Sequence, residues 1–224
     1  MKLTLIVFLF SSLSFAKDKS LTSRSLSPKK TPEYYIEQSQ KYFDTLDTYA
    51  DRESKPLYSS HIIRWEWYPW LYLTGFRRVG MKLDRLLVLY PTRIINRDCR
   101  AFTEQPFGRC RVTFHYERPN EFIDIYEEFT FNDQGEITFV EAWSDDKELL
   151  PMNPDKDFWA QGANVKRLST KVPGLGSKDG KIHRKSLRKS SKEDKDLKNL
   201  LKRLRLPVSY WMYESIRFLI KGIQ

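Results

Sequence analysis

The chain has little of what metal and thiol sites are made from: two cysteines and three histidines in 224 residues. His61, His115 and His183 nowhere adopt the close spacing of a ligand set, so a zinc finger or a His-Glu-x-x-His site is excluded and no metal is expected. It also lacks a Gly-x-Ser-x-Gly elbow and any Cys–His pairing that would activate a nucleophile. The run Gly174-Leu175-Gly176-Ser177-Lys178-Asp179-Gly180-Lys181 is one residue too long for a phosphate-binding loop. It places Ile182 where Ser or Thr is needed and follows no strand. No cofactor is expected. Beyond the first sixteen residues no apolar run reaches the roughly 20 residues that a membrane helix requires.

Those first residues are different. Lys2 precedes a stretch of about a dozen mostly apolar residues, and Ser14 and Ala16 form a small-x-small site. Residues 1–16 therefore read as a cleaved export signal, and the chain is expected in a periplasmic or extracellular setting. Residues 17–31 are polar and aperiodic, as in a flexible leader. In an oxidising compartment Cys99 and Cys110 can form a disulfide worth about 2–3 kcal/mol on the chain-entropy estimate. Two separate thiols are the alternative.

The formal charge is +10. It is concentrated between Lys166 and Arg205, where fifteen Lys and Arg oppose four acids, a net +11. The basic character thus belongs to an extension, and the remainder of the chain is close to neutral.

Thr31-Pro32-Glu33 combines an N-cap, a first-position Pro and an acid in the first turn. Tyr35, Ser39, Tyr42, Phe43, Leu46 and Tyr49 follow at three- and four-residue steps, predicting an amphipathic helix over 32–52. A strand is expected over 61–67 and a second helix over 81–89, ended by Pro91. Alternation predicts strands over 111–117, 121–132 and 136–143, the last two joined by the turn Asn132-Asp133-Gln134-Gly135. Residues 144–176 are punctuated by Pro and Gly, and 178–191 are rich in Lys, Ser and Arg. From Glu193 onward Leu197, Leu200, Leu201 and Leu204 mark one helix face, Pro207 breaks the pattern, and 208–220 predict a further helix. The organisation is thus a leader, an α+β domain over 32–146, an irregular basic linker over 147–192 and C-terminal helices over 193–224.

Tyr58-Ser59-Ser60-His61-Ile62-Ile63-Arg64-Trp65-Glu66-Trp67-Tyr68-Pro69, with Gly75 and Gly80 before the 81–89 helix, resembles the SnoaL-like branch of the nuclear-transport-factor-2-like superfamily. The ending Tyr126-Glu127-Glu128-Phe129-Thr130-Phe131-Asn132-Asp133-Gln134-Gly135-Glu136-Ile137 resembles its last two strands. The resemblance covers about residues 33–145. It implies N-terminal helices packed in a strongly curved antiparallel sheet, a cone with a pocket between sheet and helices, here followed by a basic helical extension. The superfamily includes isomerases, dehydratases and cyclases as well as non-catalytic binding modules, so the resemblance implies no single activity. No position matches the carboxylate, Tyr and second acid of its isomerases.

Within such a cone, Asp124 and Glu141 sit between apolar strand neighbours and are the carboxylates suited to acid–base work, with His115 as a third titratable group. A one-residue register slip would turn them to the solvated face. Trp65, Trp67, Tyr116, Tyr126 and Trp143 are the expected pocket wall for a small apolar or aromatic ligand. The aromatic block that also contains Tyr68, Trp70, Tyr72 and Phe76 packs equally well as core. Lys185, Arg188, Lys189, Lys198, Lys202, Arg203 and Arg205 are the expected contacts to an anionic lipid or envelope polymer. A solvated tail packing back on the domain is the bland alternative, and export makes nucleic acid a poor partner. The leading expectation is an exported binding domain without catalysis. An isomerase or dehydratase and a homodimeric scaffold are its rivals.

Overall fold

The computed structural model describes residues 27–67, 91–117, 120–144 and 191–203. They form an α+β arrangement in which one helix packs on a strongly curled five-stranded sheet. The strands are β1 (Tyr58–Glu66), β2 (Thr92–Ala101), β3 (Gly108–Tyr116), β4 (Glu121–Phe131) and β5 (Ile137–Ser144), in the spatial order β1-β5-β4-β3-β2. The sheet is mixed, where an antiparallel one was expected: β2 through β5 form an antiparallel meander, and β1 joins its far edge parallel to β5. That pairing joins Arg64 to Val140, and no local turn signal encodes a contact so distant in sequence.

Helix α1 (Pro32–Asp44) begins where its signals place it. Thr31 is extended, and its hydroxyl accepts the Tyr34 N–H at 3.4 Å. Pro32 occupies the first turn, where its missing N–H costs nothing, and Glu33 and Lys41 complement the helix dipole at the two ends. Tyr35, Gln38, Ser39, Tyr42 and Phe43 form the buried stripe. Around them Tyr35 packs on Phe107 and Phe131, and Tyr42 and Phe43 pack on Phe129, with centroids 4.7–5.8 Å apart. Each fully buried ring of this kind contributes roughly 1.5–3 kcal/mol. Gly108 permits the close approach, since a Cβ there would lie 2.9 Å from Ser39 Oγ.

The helix stops at Asp44, short of the expected Arg52. The Thr45 hydroxyl donates back to the Tyr42 carbonyl at 2.6 Å. The Asp47 carboxylate then accepts the N–H of Tyr49 and, from β2, the N–H of Ile94, both at 2.9 Å. Arg97 donates to Asp44 and Asp47, so this turn is fastened to β2 by side chains competing for the backbone.

Strand β2 was not expected. Its register shifts between Ile95 and Asp98, and Asn96 there has φ 51°, which breaks the alternation a sequence reader looks for. Cys99 and Cys110 lie directly opposite on β2 and β3 and are joined by a disulfide. A second helix, α2 (Lys195–Arg203), is capped by Asp194, whose carboxylate accepts the Leu197 N–H at 3.1 Å. The expected export signal, the 81–89 and 208–220 helices and most of the basic linker lie outside the described residues.

Candidate functional site

Strand register assigns each side chain to a face. Ile62, Ile94, Cys110, Val112, Phe114, Ile125, Phe129, Phe131 and Val140 face α1 and make one core with Tyr35, Tyr42 and Phe43. We call this the inner face.

Charged groups interrupt that apolar surface around Arg64. Arg64 pairs with Val140 across β1 and β5, Glu66 pairs with Ala142, and Ala142 pairs in turn with Glu127 on β4. All three charged residues therefore share the inner face. Arg64 Nη2 lies 2.7 Å from Glu66 Oε1 and 3.3 Å from Glu127 Oε1. Glu127 is fully buried, and Arg64 and Glu66 are 8 % and 7 % exposed. The guanidinium also stands 5.7 Å from the centre of the Tyr42 ring. A buried ion pair seldom stabilises a fold more than apolar groups of the same volume would. One guanidinium held between two buried carboxylates is thus a costly arrangement to maintain.

Tyr116, half-buried near the edge of this face, stacks on Phe114 with centroids 6.0 Å apart. Burial pushes its hydroxyl well above the ordinary tyrosine range, and the negative charge of Glu66 adds to the effect against the opposing pull of Arg64. It is consequently a hydrogen-bond donor throughout the physiological range. The inner face thus offers a donor, a guanidinium, two carboxylates and aromatic walls.

The other expected site residues lie on the opposite, outer face. Trp65 and Trp67 meet edge to face at 5.9 Å, and Tyr126 stacks on Trp143 at 5.5 Å. Glu141 is fully buried and accepts the Trp67 indole N–H at 2.7 Å. Asp124 is bound by Thr113 and lies 3.3 Å from Arg111. His115 bonds Asn120 at 2.9 Å and stacks on Phe122. Asp124 and His115 occupy neighbouring rows of this face, whereas Glu141 lies with Glu128 and Arg109 further along it. The outer face has its own buried ion pair, Arg109 with Glu128, at 2.7 Å from Nη2 and 2.9 Å from Nε. The Arg109 guanidinium lies over Phe102 and Trp143. Arg109 meets Glu128 through two nitrogens, a geometry suited to holding the sheet together.

Of the expected tail contacts, Lys198 and Lys202 are exposed on α2 and Arg203 ends that helix. Lys185, Arg188, Lys189 and Arg205 lie outside the described residues. Among the described residues, no group of three or more His, Cys, Asp or Glu side chains could hold a metal ion, and no helix is long and apolar enough to cross a membrane.

Arg64, Glu66 and Glu127 were not anticipated as a group. A signal for them exists: Arg64 and Glu66 are two residues apart in an apolar strand, so opposite charges project from one face. No protein-family model matches this chain, and no curated protein does.

Proposed function

We propose that the protein is a small-ligand-binding domain of the SnoaL-like type, without catalysis, acting outside the cytoplasm. Its ligand is an apolar or aromatic molecule bearing polar atoms, seated on the inner face against Arg64, Glu127 and Tyr116. The observation that carries this reading is the buried guanidinium shared by two carboxylates beside Tyr42 on the helix-facing side of a curled sheet. Charged groups in such a place give a ligand orientation and specificity, while the surrounding apolar face gives it area.

The test is a thermal-shift screen with small aromatic and apolar molecules, run on the protein and on Glu127→Gln and Asp124→Asn variants. The reading expects at least one chemical class to raise Tm in the wild type and in Asp124→Asn but not in Glu127→Gln. Shifts that persist unchanged in Glu127→Gln would overturn it.

A second reading, an isomerase or dehydratase, is favoured by one specific observation. Tyr116 is held protonated on the same face as two carboxylates, which supplies a hydrogen-bond donor for a substrate oxygen and candidate bases together. Turnover lost in Tyr116→Phe while ligand-induced Tm shifts persist would separate this reading from binding alone.

A further inference from the structure

We propose that α2 is an electrostatic docking surface for a bilayer carrying anionic phospholipids. This inference stands apart from the inner-face site and does not depend on it. Asp194 caps α2, accepting the Leu197 N–H through its carboxylate and the Lys198 N–H through its carbonyl, at 3.1 and 3.0 Å. The helix is thereby fixed in phase from its first turn. Leu197 is turned into the protein and is 2 % exposed, whereas Lys195, Lys198 and Lys202 are exposed. At 3.6 residues per turn the three lysines fall within about 60° of one another and at least about 100° from Leu197. They form one row about 10 Å long on the side away from the protein.

The partner follows from the chemistry of that row. It presents three ammonium groups, and it belongs to the stretch from Lys166 to Arg205 whose net charge is +11. An anionic headgroup surface attracts each such lysine with about a fivefold gain in partitioning. With Leu197 engaged inside the protein, the exposed lysine row is what α2 offers to a charged surface. Attachment by charge is screened within about 10 Å at 0.1 M salt and about 3 Å at 1 M, so it has to release at high salt. Nucleic acid carries phosphates as well, but the apolar N-terminal run reads as an export signal, which puts a bilayer surface in the chain's path.

Three forms of the purified full chain test the proposal by co-sedimentation with phosphatidylcholine vesicles, with and without phosphatidylglycerol, at low and high salt. These are the wild type, the α2 variant Lys195→Gln/Lys198→Gln/Lys202→Gln, and a control, Lys29→Gln/Lys30→Gln/Lys55→Gln, with the same charge change at exposed positions elsewhere. Equal Tm values establish that all three fold. We expect the wild type to pellet only with phosphatidylglycerol and to be released at high salt. The α2 variant should lose at least about tenfold in partition coefficient and the control less than about threefold. Equal losses in the two variants would reduce the effect to net charge and overturn the proposal. So would undiminished binding by the α2 variant, binding that survives high salt, or a wild type that ignores anionic vesicles yet is retained by a DNA duplex.

Discussion

Glu66 on β1 and Glu127 on β4 face each other across Ala142, the β5 residue with which both are in register. The methyl group between them is 2 % exposed. A small side chain here leaves the room in which Arg64 reaches both carboxylates. Ala142→Leu should therefore drive the three charged groups apart and overpack the inner face. The expected cost is about 1–3 kcal/mol, read as a lower denaturation midpoint. Any ligand-induced Tm shift should disappear with it.

Removing the shared cation should cost more. Arg64→Ala takes the guanidinium from between two buried carboxylates, and breaking a buried pair in this way costs about 3–5 kcal/mol. Arg111→Ala is the contrast. Arg111 pairs with Asp124 on the outer face, where both side chains are about a third or more exposed, so the cost should stay within about 1 kcal/mol. Urea unfolding of the two variants checks the ranking, and equal costs would mean that Arg64 is not embedded as described.

The titration behaviour of three residues has a defined sign. Tyr116 has its folded-state pKa raised by burial, so its contribution to stability is intact below the ordinary tyrosine value of 10.0 and is lost as pH rises beyond it. Tyr116→Phe should flatten that alkaline loss, measurable by denaturation at a series of pH values. Glu117 is lowered, chiefly by its hydrogen bond from Arg93. Glu33 is lowered by its own backbone N–H and by the Thr31 hydroxyl. Glu33 is exposed and Glu117 partly so, and each contributes above the ordinary glutamate value of 4.5 and loses its contribution as pH falls through the lower folded-state value. NMR titration should find both carboxyls below that ordinary value.

The β4–β5 turn carries a steric prediction. Gly135 has φ +84°, and a Cβ there would lie 2.7 Å from Tyr34 Oη, whose hydroxyl donates to the Gly135 carbonyl at 3.0 Å. Gly135→Ala should cost about 1–3 kcal/mol through backbone strain and the displaced tyrosine. Tyr34→Phe alone should cost about 1 kcal/mol for the lost hydrogen bond. In the double variant, Gly135→Ala should remain destabilising, because the ring still occupies the place of the new methyl and the positive φ persists. A double-mutant cycle in thermal unfolding reads out the difference.

What the sequence discloses here depends on how local the encoding is. The start of α1 and the β4–turn–β5 unit were legible because Thr31-Pro32-Glu33 and Asn132 to Gly135 act on their immediate neighbours. The end of α1 was not, since the Asp47 carboxylate that fastens the turn reaches Ile94, 47 residues away. Strand β2 was hidden by the irregularity at Asn96 and by charged side chains along an edge strand. Alternation correctly separates Trp65 from Arg64 and Glu66, but it cannot state which set faces the helix. That assignment comes from the pairing of β1 with β5, a contact without a local signal. The grouping of Arg64 with Glu127 depends on the same pairing.

The central claim is that a ligand sits on the inner face at the Arg64–Glu127 cluster. The most direct measurement is a map of backbone amide chemical-shift changes as the strongest molecule from the thermal-shift screen is titrated into the protein. The account predicts that the largest changes fall at Arg64, Glu66, Tyr116 and Glu127, with His115, Phe122 and Asp124 nearly unmoved. Changes centred on His115, Phe122 and Asp124 instead would place the ligand on the outer face and contradict it.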